Sequence, residues 1–162
     1  MSEDKFTSLQ KVALVILRVL IGWHFLYEGV AKLLKGNWSA AGYLSQSRGF
    51  LAPFFHWIVD TPTVLAVVNQ MNIWGLIAIG LGLIVGCLTR WAAYAGMLLI
   101  ALYYLANPPF VGFYYSIPME GNYLIVNKNL VEMAALFVIA ITPNGRWAGL
   151  DFLLHKLFCR KK

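Results

Sequence analysis

Ionisable side chains recur at helical spacing inside a stretch that is otherwise apolar. In WHFLYEGVAKLL, His24, Glu28 and Lys32 follow one another at four-residue intervals. On a helix, Arg18, Glu28 and Lys32 fit within an arc of about 80°, and His24 lies about 40° beyond Glu28. A charge left in lipid costs on the order of a few kcal/mol, so this stripe is predicted to face the interior of a helix bundle.

A second polar group occurs near the other end of the chain. Two asparagines, Asn127 and Asn129, flank Lys128, and Glu132 follows three residues later. At 1.5 Å per residue, Glu28 and Glu132 lie about 9 and 12 Å inside the outer ends of their predicted helices. If those helices are neighbours, Glu28, Lys32, Lys128 and Glu132 are predicted to form one nearly neutral cluster. His24 has no such counterpart in the second group.

The composition shows which elements must position these groups. About 60% of the 162 residues are hydrophobic and only 12% are charged, which is not typical of a soluble domain. A helix needs roughly 20 mostly apolar residues to cross a bilayer core. Four segments qualify, at about residues 12–34, 64–88, 91–106 and 124–142. The chain is therefore predicted to be an all-α integral membrane protein, a four-transmembrane-helix bundle forming a single domain over residues 1–162.

The distribution of basic residues predicts the orientation. Four spans put both termini on one side, together with Lys5, Lys11, Arg90, Arg146, Lys156, Arg160, Lys161 and Lys162. The other side holds Lys32, Lys35, Arg48 and Lys128. Because basic residues favour the cytoplasmic side, both termini are predicted to be cytoplasmic. The net charge of +6 then indicates contact with anionic membrane lipids and requires no nucleic acid.

Two segments are predicted to lie at the membrane surface. Residues 36–62 are rich in aromatic residues and are expected to lie on the membrane or to cap the bundle. Near the C-terminus, Leu150, Leu153, Leu154 and Leu157 have the spacing of a short amphipathic helix. Arg18 is expected to reach toward the cytoplasm or to pair with Asp151.

Small residues recur in the second predicted span. In WGLIAIGLGLIVG they are Gly75, Ala78, Gly82 and Gly86, and the last two form a G-x-x-x-G pair. This spacing predicts close packing of this helix against a neighbour rather than a ligand site.

Cysteine and histidine usage argues against several kinds of chemistry. Cys87 and Cys159 are about 72 positions apart, so no C-x-x-C pair is present for disulfide exchange. The histidines, His24, His56 and His155, are predicted at three different depths. A haem or metal site would need at least two of them to face each other, so neither haem nor metal is expected.

Several segments together resemble a known family. They are LRVLIGWHFLYEGVAKLL, NWSAAGYL, WGLIAIGLGLIVGCLTRWAAYAG, LANPPF, EGNYLIVNKNLVE and GRWAGLD. They resemble the DoxX superfamily of small four-span membrane proteins, and within it the DoxD-like small subunit of thiosulfate:quinone oxidoreductase. The resemblance implies a subunit of a bacterial or archaeal cell membrane. Such a subunit works with a second oxidoreductase chain to pass electrons from a reduced sulfur compound to quinone.

The polar residues can be assigned roles in that reaction. Quinone reduction takes two protons, so carbonyl oxygens need proton or hydrogen-bond donors close by. Glu28 and Glu132 are candidates to relay protons, and Lys32, Lys128, Asn127 and Asn129 to hold the carbonyl oxygens. Trp23, Tyr27 and Trp74 are candidates to flank the ring. The chain carries no redox centre of its own, so a cofactor or redox-active partner must supply the electrons.

Two other classes of function remain open from the sequence. The same Glu and Lys pairs could bind a solute or proton in a small transporter, which at four spans would have to work as a homodimer. Alternatively, the cluster could only lock the first and fourth spans together in a scaffold without chemistry.

Overall fold

The computed structural model describes residues 6–116, 124–152 and 156, whose regular secondary structure is helical, with no strand among them. The helices are α1 (Ser8–Leu34), α2 (Ala41–Leu44), α3 (Ala52–Asp60), α4 (Pro62–Val85), α5 (Thr89–Ala106), α6 (Lys128–Ile141) and α7 (Asn144–Trp147). The four longest, α1, α4, α5 and α6, pack as a bundle.

Local sequence sets the ends of these helices. The Thr7 hydroxyl accepts a hydrogen bond from the Gln10 N–H, and the Gln10 side chain accepts one from the Thr7 N–H, which together form a capping box before α1. Pro62 occupies the first turn of α4, where a missing N–H costs nothing. Gly86 ends α4 with a φ of 70°, a conformation that glycine adopts without strain. The Asn127 side chain accepts from the Leu130 N–H and caps α6.

The closest helix contact joins α1 to α4 at glycines. A Cβ added at Gly80 would lie 2.7 Å from the carbonyl oxygen of Gly22, and one at Gly29 would lie 2.7 Å from Cγ1 of Ile77. The two glycines of the predicted G-x-x-x-G pair are not part of this contact. Gly82 faces Ala92 of α5, and Gly86 ends α4. The prediction of close packing is confirmed for Gly82, but it is wrong for Gly75, which meets no heavy atom within 4 Å and lines a cavity. The tightest contact is made by Gly80, which was not among the predicted residues.

Apolar residues from all four helices fill the centre of the bundle. The cluster includes Phe25 of α1, Leu83 of α4, Ala93 of α5, and Leu136 and Ile139 of α6. The last four are fully buried. Close van der Waals packing of such side chains holds the helices in one arrangement.

Residues 37–60, which contain α2 and α3, form a cap over one end of the bundle. Leu44, Phe55 and Ile58 of the cap pack with Ala106 of α5 in a second apolar cluster. The Tyr43 hydroxyl donates to the carbonyl oxygen of Tyr103 at 2.9 Å. Because it is buried here, the pKa of Tyr43 is raised above its ordinary value. Of the two predicted placements for this segment, the contacts indicate a cap on the bundle.

Two helices in the described ranges are long and apolar enough to cross a membrane, α1 and α4. Helix α5 has 18 residues and α6 has 14, so they are about 27 and 21 Å long. The segment predicted at 124–142 begins its helix only at Lys128, because Leu124 has a φ of 64° and Asn127 caps the helix.

The end of the bundle opposite the cap is formed by the α4–α5 turn and residues 143–152. Arg18 extends toward this end, which is the one predicted to be cytoplasmic, but the side chain is only 2% exposed and is therefore buried within the bundle. Its Nη1 donates to the carbonyl oxygen of Asn144 at 3.2 Å. Asp151 instead accepts the N–H groups of Leu88 and Thr89 at the start of α5.

The predicted amphipathic helix at the C-terminus lies mostly outside the described residues. Leu150 is helical, whereas Leu153, Leu154 and Leu157 belong to the part that the structure does not describe.

Candidate functional site

A cavity of about 820 Å³ lies between the cap and the centre of the bundle. Its polar lining residues come from α1, α4, α5, α6 and the cap. They are His24, Glu28, Lys32, Ser39, Tyr43, Asn72, Tyr103, Asn107, Asn127, Lys128, Asn129 and Glu132. The rest of the wall is mainly apolar. The volume falls within the range of about 300–1,000 Å³ that small-molecule sites occupy.

Three residues form a directed chain of hydrogen bonds across the cavity wall. The Lys32 ammonium donates to Oδ1 of Asn72 at 3.1 Å. The Asn72 Nδ2 then donates to the Tyr103 hydroxyl at 2.6 Å. Among the described residues, none accepts the hydrogen of the Tyr103 hydroxyl. This hydroxyl can therefore donate to a ligand in the cavity.

Lys32 lies in a polar and aromatic environment. Its Nζ is 4.0 Å from a carboxylate oxygen of Glu28, 4.8 Å from the centre of the Trp38 ring and 5.5 Å from that of Tyr103. The carboxylate and the faces of both rings attract a cation and offset part of the cost of burying it. Since Asn72 occupies one of its three N–H groups, the ammonium can also donate to a ligand.

His24 and Glu132 connect α1 to α6. Nδ1 of His24 lies 2.8 Å from Oε1 of Glu132, and the side chains are 50% and 16% exposed. The expectation that His24 has no counterpart in the second polar group is therefore wrong. The two helices are neighbours, as the predicted cluster required, and a hydrogen bond between His24 and Glu132 joins them.

The predicted site residues divide into two sets. Six of them line the cavity, namely Glu28, Lys32, Asn127, Lys128, Asn129 and Glu132. The three aromatic residues predicted to flank a ring, Trp23, Tyr27 and Trp74, do not line it. They are between 56% and 61% exposed on the outside of the bundle. The aromatic side chains that do face the cavity include Trp38, Tyr43 and Tyr103.

Sequence reasoning overlooked Asn72, Tyr103 and the role of His24. Asn72 and Tyr103 are polar residues inside predicted spans, which is the signal that would have found them. Both are neutral, and each has polar neighbours in the sequence, Asn69 and Gln70 near Asn72 and Tyr104 beside Tyr103. Charged residues inside the predicted spans are a stronger signal than neutral ones. His24 was placed correctly beside Glu28, but its partner is on another helix.

The arrangement supports proton transfer and hydrogen bonding to a polar group. The ammonium of Lys32 and the hydroxyl of Tyr103 can donate, while His24, Glu28 and Glu132 can give or take protons. Within the described ranges, no three His, Cys, Asp or Glu side chains come together as a metal site.

The comparisons with known proteins concern the first two thirds of the chain. The DoxX family model matches residues 13–107, which is more than half of the 162 residues. No curated protein and no solved structure matches the chain. The matched range contains Lys32, Asn72 and Tyr103, whereas Glu132 on α6 lies beyond it.

Proposed function

The chain belongs to the DoxX family of membrane proteins, and from this premise we propose that it is the quinone-binding membrane subunit of an oxidoreductase. A partner chain oxidises a reduced sulfur compound of the thiosulfate type and supplies the electrons. In this it resembles the DoxD-like subunit of thiosulfate:quinone oxidoreductase. The observation that carries the proposal is the cavity, whose wall of polar and apolar residues includes donors on Lys32 and Tyr103 that can serve a ligand.

The donors suit a carbonyl group. The Tyr103 hydroxyl has a free hydrogen, and Lys32 keeps N–H groups beyond the one given to Asn72. Both donors are held in place through Asn72, so they are oriented before a ligand arrives. Trp38 and Tyr103, which flank the ammonium, offer aromatic faces to a planar ring.

The remaining ionisable residues supply protons. Reduction of a quinone held here would take two protons and two electrons. The two electrons would come from the partner chain, where two thiosulfate ions are oxidised and join through a new sulfur–sulfur bond, and the two protons would come through the residues of this chain. His24 and Glu28 are about half exposed and can take up protons from outside the cavity. Glu132 is less exposed and shares a hydrogen bond with His24. Protons pass from His24 to Glu132 and from there into the cavity.

Four spans with cytoplasmic termini are part of the proposal. The end opposite the cap carries Lys11, Arg90 and Arg146, whereas Lys35 and Arg48 lie near the cap. A Lys35→Cys variant without other cysteines should react with a membrane-impermeant maleimide in intact cells. Reaction only after the cells are opened would reverse the orientation.

Quinone binding tests the function directly. The protein is purified gently in nanodiscs, its organic extract is analysed for quinone, and the emptied protein is titrated with decylubiquinone. Tyr103→Phe removes one donor, and a hydrogen bond of about 1 kcal/mol corresponds to a loss of roughly fivefold in affinity. Tyr104→Phe is the matched control, because its hydroxyl donates to the carbonyl oxygen of Ile125 and does not line the cavity.

The outcomes separate this function from the alternatives. Quinone in the extract, with weaker binding by Tyr103→Phe alone, supports the proposal. Repeated absence of quinone, or equal effects of the two variants, contradicts it. Membranes that contain the protein should also show thiosulfate-dependent quinone reduction, slowed by Glu132→Gln. Solute flux into proteoliposomes without quinone binding would indicate a transporter instead.

A further inference from the structure

The cavity reaches the outside of the bundle between α4 and α5. At one end of this gap, Ile79 packs against Gly96, where an added Cβ would lie 3.4 Å from Cγ2 of Ile79. At the other end, Asn72 and Tyr103 are joined by their 2.6 Å hydrogen bond. Between these contacts lies Gly75, where an added Cβ would meet no heavy atom within 4 Å. The two helices therefore leave open space at this level.

The residues around the gap are apolar and exposed. Met71, Leu98 and Leu102 line the cavity and are 70%, 65% and 40% exposed. By contrast, Leu76 and Ile100 line the same cavity but are only 3% exposed. Residues that both line a cavity and are exposed lie at an opening of it. The cavity therefore has an apolar opening between α4 and α5, in addition to a polar one at His24 and Glu28, which line it and are about half exposed.

The gap lies at the level of lipid hydrocarbon. Gly75 is about 20 Å from Pro62 and about 15 Å from Val85 along α4, at 1.5 Å per residue. Because α4 is a candidate membrane span, its middle faces acyl chains rather than head groups or water. Asn72, which orients the polar donors, is only one helical turn nearer the cap. A single ligand can therefore place its polar end at these donors and its apolar part in the surrounding hydrocarbon.

We propose that the α4–α5 gap, formed by Met71, Gly75, Leu98 and Leu102, holds the apolar tail of a long-chain quinone whose ring lies at Lys32 and Tyr103. This inference rests on the proposed function and adds that the protein distinguishes quinones by their tails. A tail that passes through the gap stays in hydrocarbon while the ring leaves the bilayer for the cavity. With the gap closed, the tail would have to fold inside the cavity, which costs conformational freedom.

Closing the gap with a side chain tests the inference. In Gly75→Leu, the new side chain enters open space instead of displacing packed atoms. Binding of decylubiquinone is compared with that of the same ring without a tail, in nanodiscs of one phosphatidylcholine composition. We expect Gly75→Leu to weaken decylubiquinone binding about tenfold and to change binding of the tail-free ring less than about threefold.

Matched variants distinguish effects on binding of the tail from effects on binding of the ring. Gly42→Leu is the control, since Gly42 also has open space around it but does not line the cavity. It should leave both affinities unchanged. Tyr103→Phe should weaken both ligands alike. Leu98→Trp closes the gap from α5 and replaces Gly75→Leu if that variant does not fold.

The failures of the two proposals can be told apart. Equal weakening of both quinones by Gly75→Leu, or no weakening of either, overturns this inference but leaves quinone binding in place. If neither quinone binds the unaltered protein, the proposed function fails as well. A phospholipid retained by the unaltered protein and lost from Gly75→Leu, seen by native mass spectrometry, would assign the gap to a lipid acyl chain and also overturn the inference.

Discussion

Replacing Gly80 with alanine would force α1 and α4 apart. The added Cβ would lie 2.5 Å from the backbone nitrogen of Leu26, 2.7 Å from the carbonyl oxygen of Gly22 and 2.8 Å from Cα of Leu26. All three atoms belong to the backbone of α1, so no side-chain rotation can relieve the contact. Ordinary contact begins at 3.4 Å, and the helices must therefore separate locally by about 0.9 Å.

The expected cost follows from two opposing effects. Overfilling a packed interface costs about 1–3 kcal/mol, whereas alanine in place of glycine favours the helix by about 1 kcal/mol. The separation also loosens the contacts of Gly22 and Gly29 with α4. We expect Gly80→Ala to lower the free energy of unfolding by about 1–2 kcal/mol.

The assay is reversible unfolding by sodium dodecyl sulfate in mixed micelles, followed by tryptophan fluorescence. Gly75→Ala is the matched control on the same helix, because its Cβ meets no atom within 4 Å. It should leave stability unchanged or raise it by up to about 1 kcal/mol. The reasoning is refuted if Gly80→Ala is as stable as the unaltered protein, or if Gly75→Ala loses as much stability.

Three further predictions concern contacts outside the cavity centre. Asp151→Ala should lower the free energy of unfolding by about 1–2 kcal/mol, because its carboxylate accepts two N–H groups at 2.7 and 2.9 Å; a thermal unfolding midpoint equal to that of the unaltered protein would contradict this. Ser47→Ala should cost about 1 kcal/mol in the same assay, since the buried hydroxyl donates to the carbonyl oxygen of Ala106 at 2.6 Å. Ser45→Ala, whose hydroxyl is exposed, should cost less, and equal losses would count against the argument. Burial raises the pKa of Tyr43, so the folded state keeps this proton after the unfolded chain loses it near pH 10. Stability should therefore fall more steeply as the pH rises above about 9 in the unaltered protein than in Tyr43→Phe, and parallel curves would exclude this linkage.

Much of the helical framework could be predicted from the sequence. A long apolar run predicts a helix because only internal hydrogen bonds satisfy the backbone in hydrocarbon. This applies to α1 and α4, whose observed bounds lie within a few residues of the predicted ones. The start of α6 was misjudged because Leu124, Ile125 and Val126 are apolar without being helical. Hydropathy does not detect that Asn127 caps the helix after them.

The hydrogen-bond partners of the polar residues could not be predicted in the same way. Helical spacing placed Glu28 and Lys32 one turn apart, and they lie 4.0 Å from each other in the structure. Spacing within one helix carries no information on the neighbouring helix, its rotation or its distance. For this reason, Asn72 as the partner of Lys32 and His24 as that of Glu132 were not predicted.

By itself, the sequence determined that the chain is apolar and helical, and that charges lie on one side of α1 and near the start of α6. These properties follow from residue type and from the 3.6-residue period, which are local. Only the tertiary structure decided that the two charged regions share a cavity with Asn72 and Tyr103, and that this cavity opens beside Gly75. Those features depend on how closely helices cross. The crossing is set by glycines such as Gly80, whose effect appears only when the facing backbone is known.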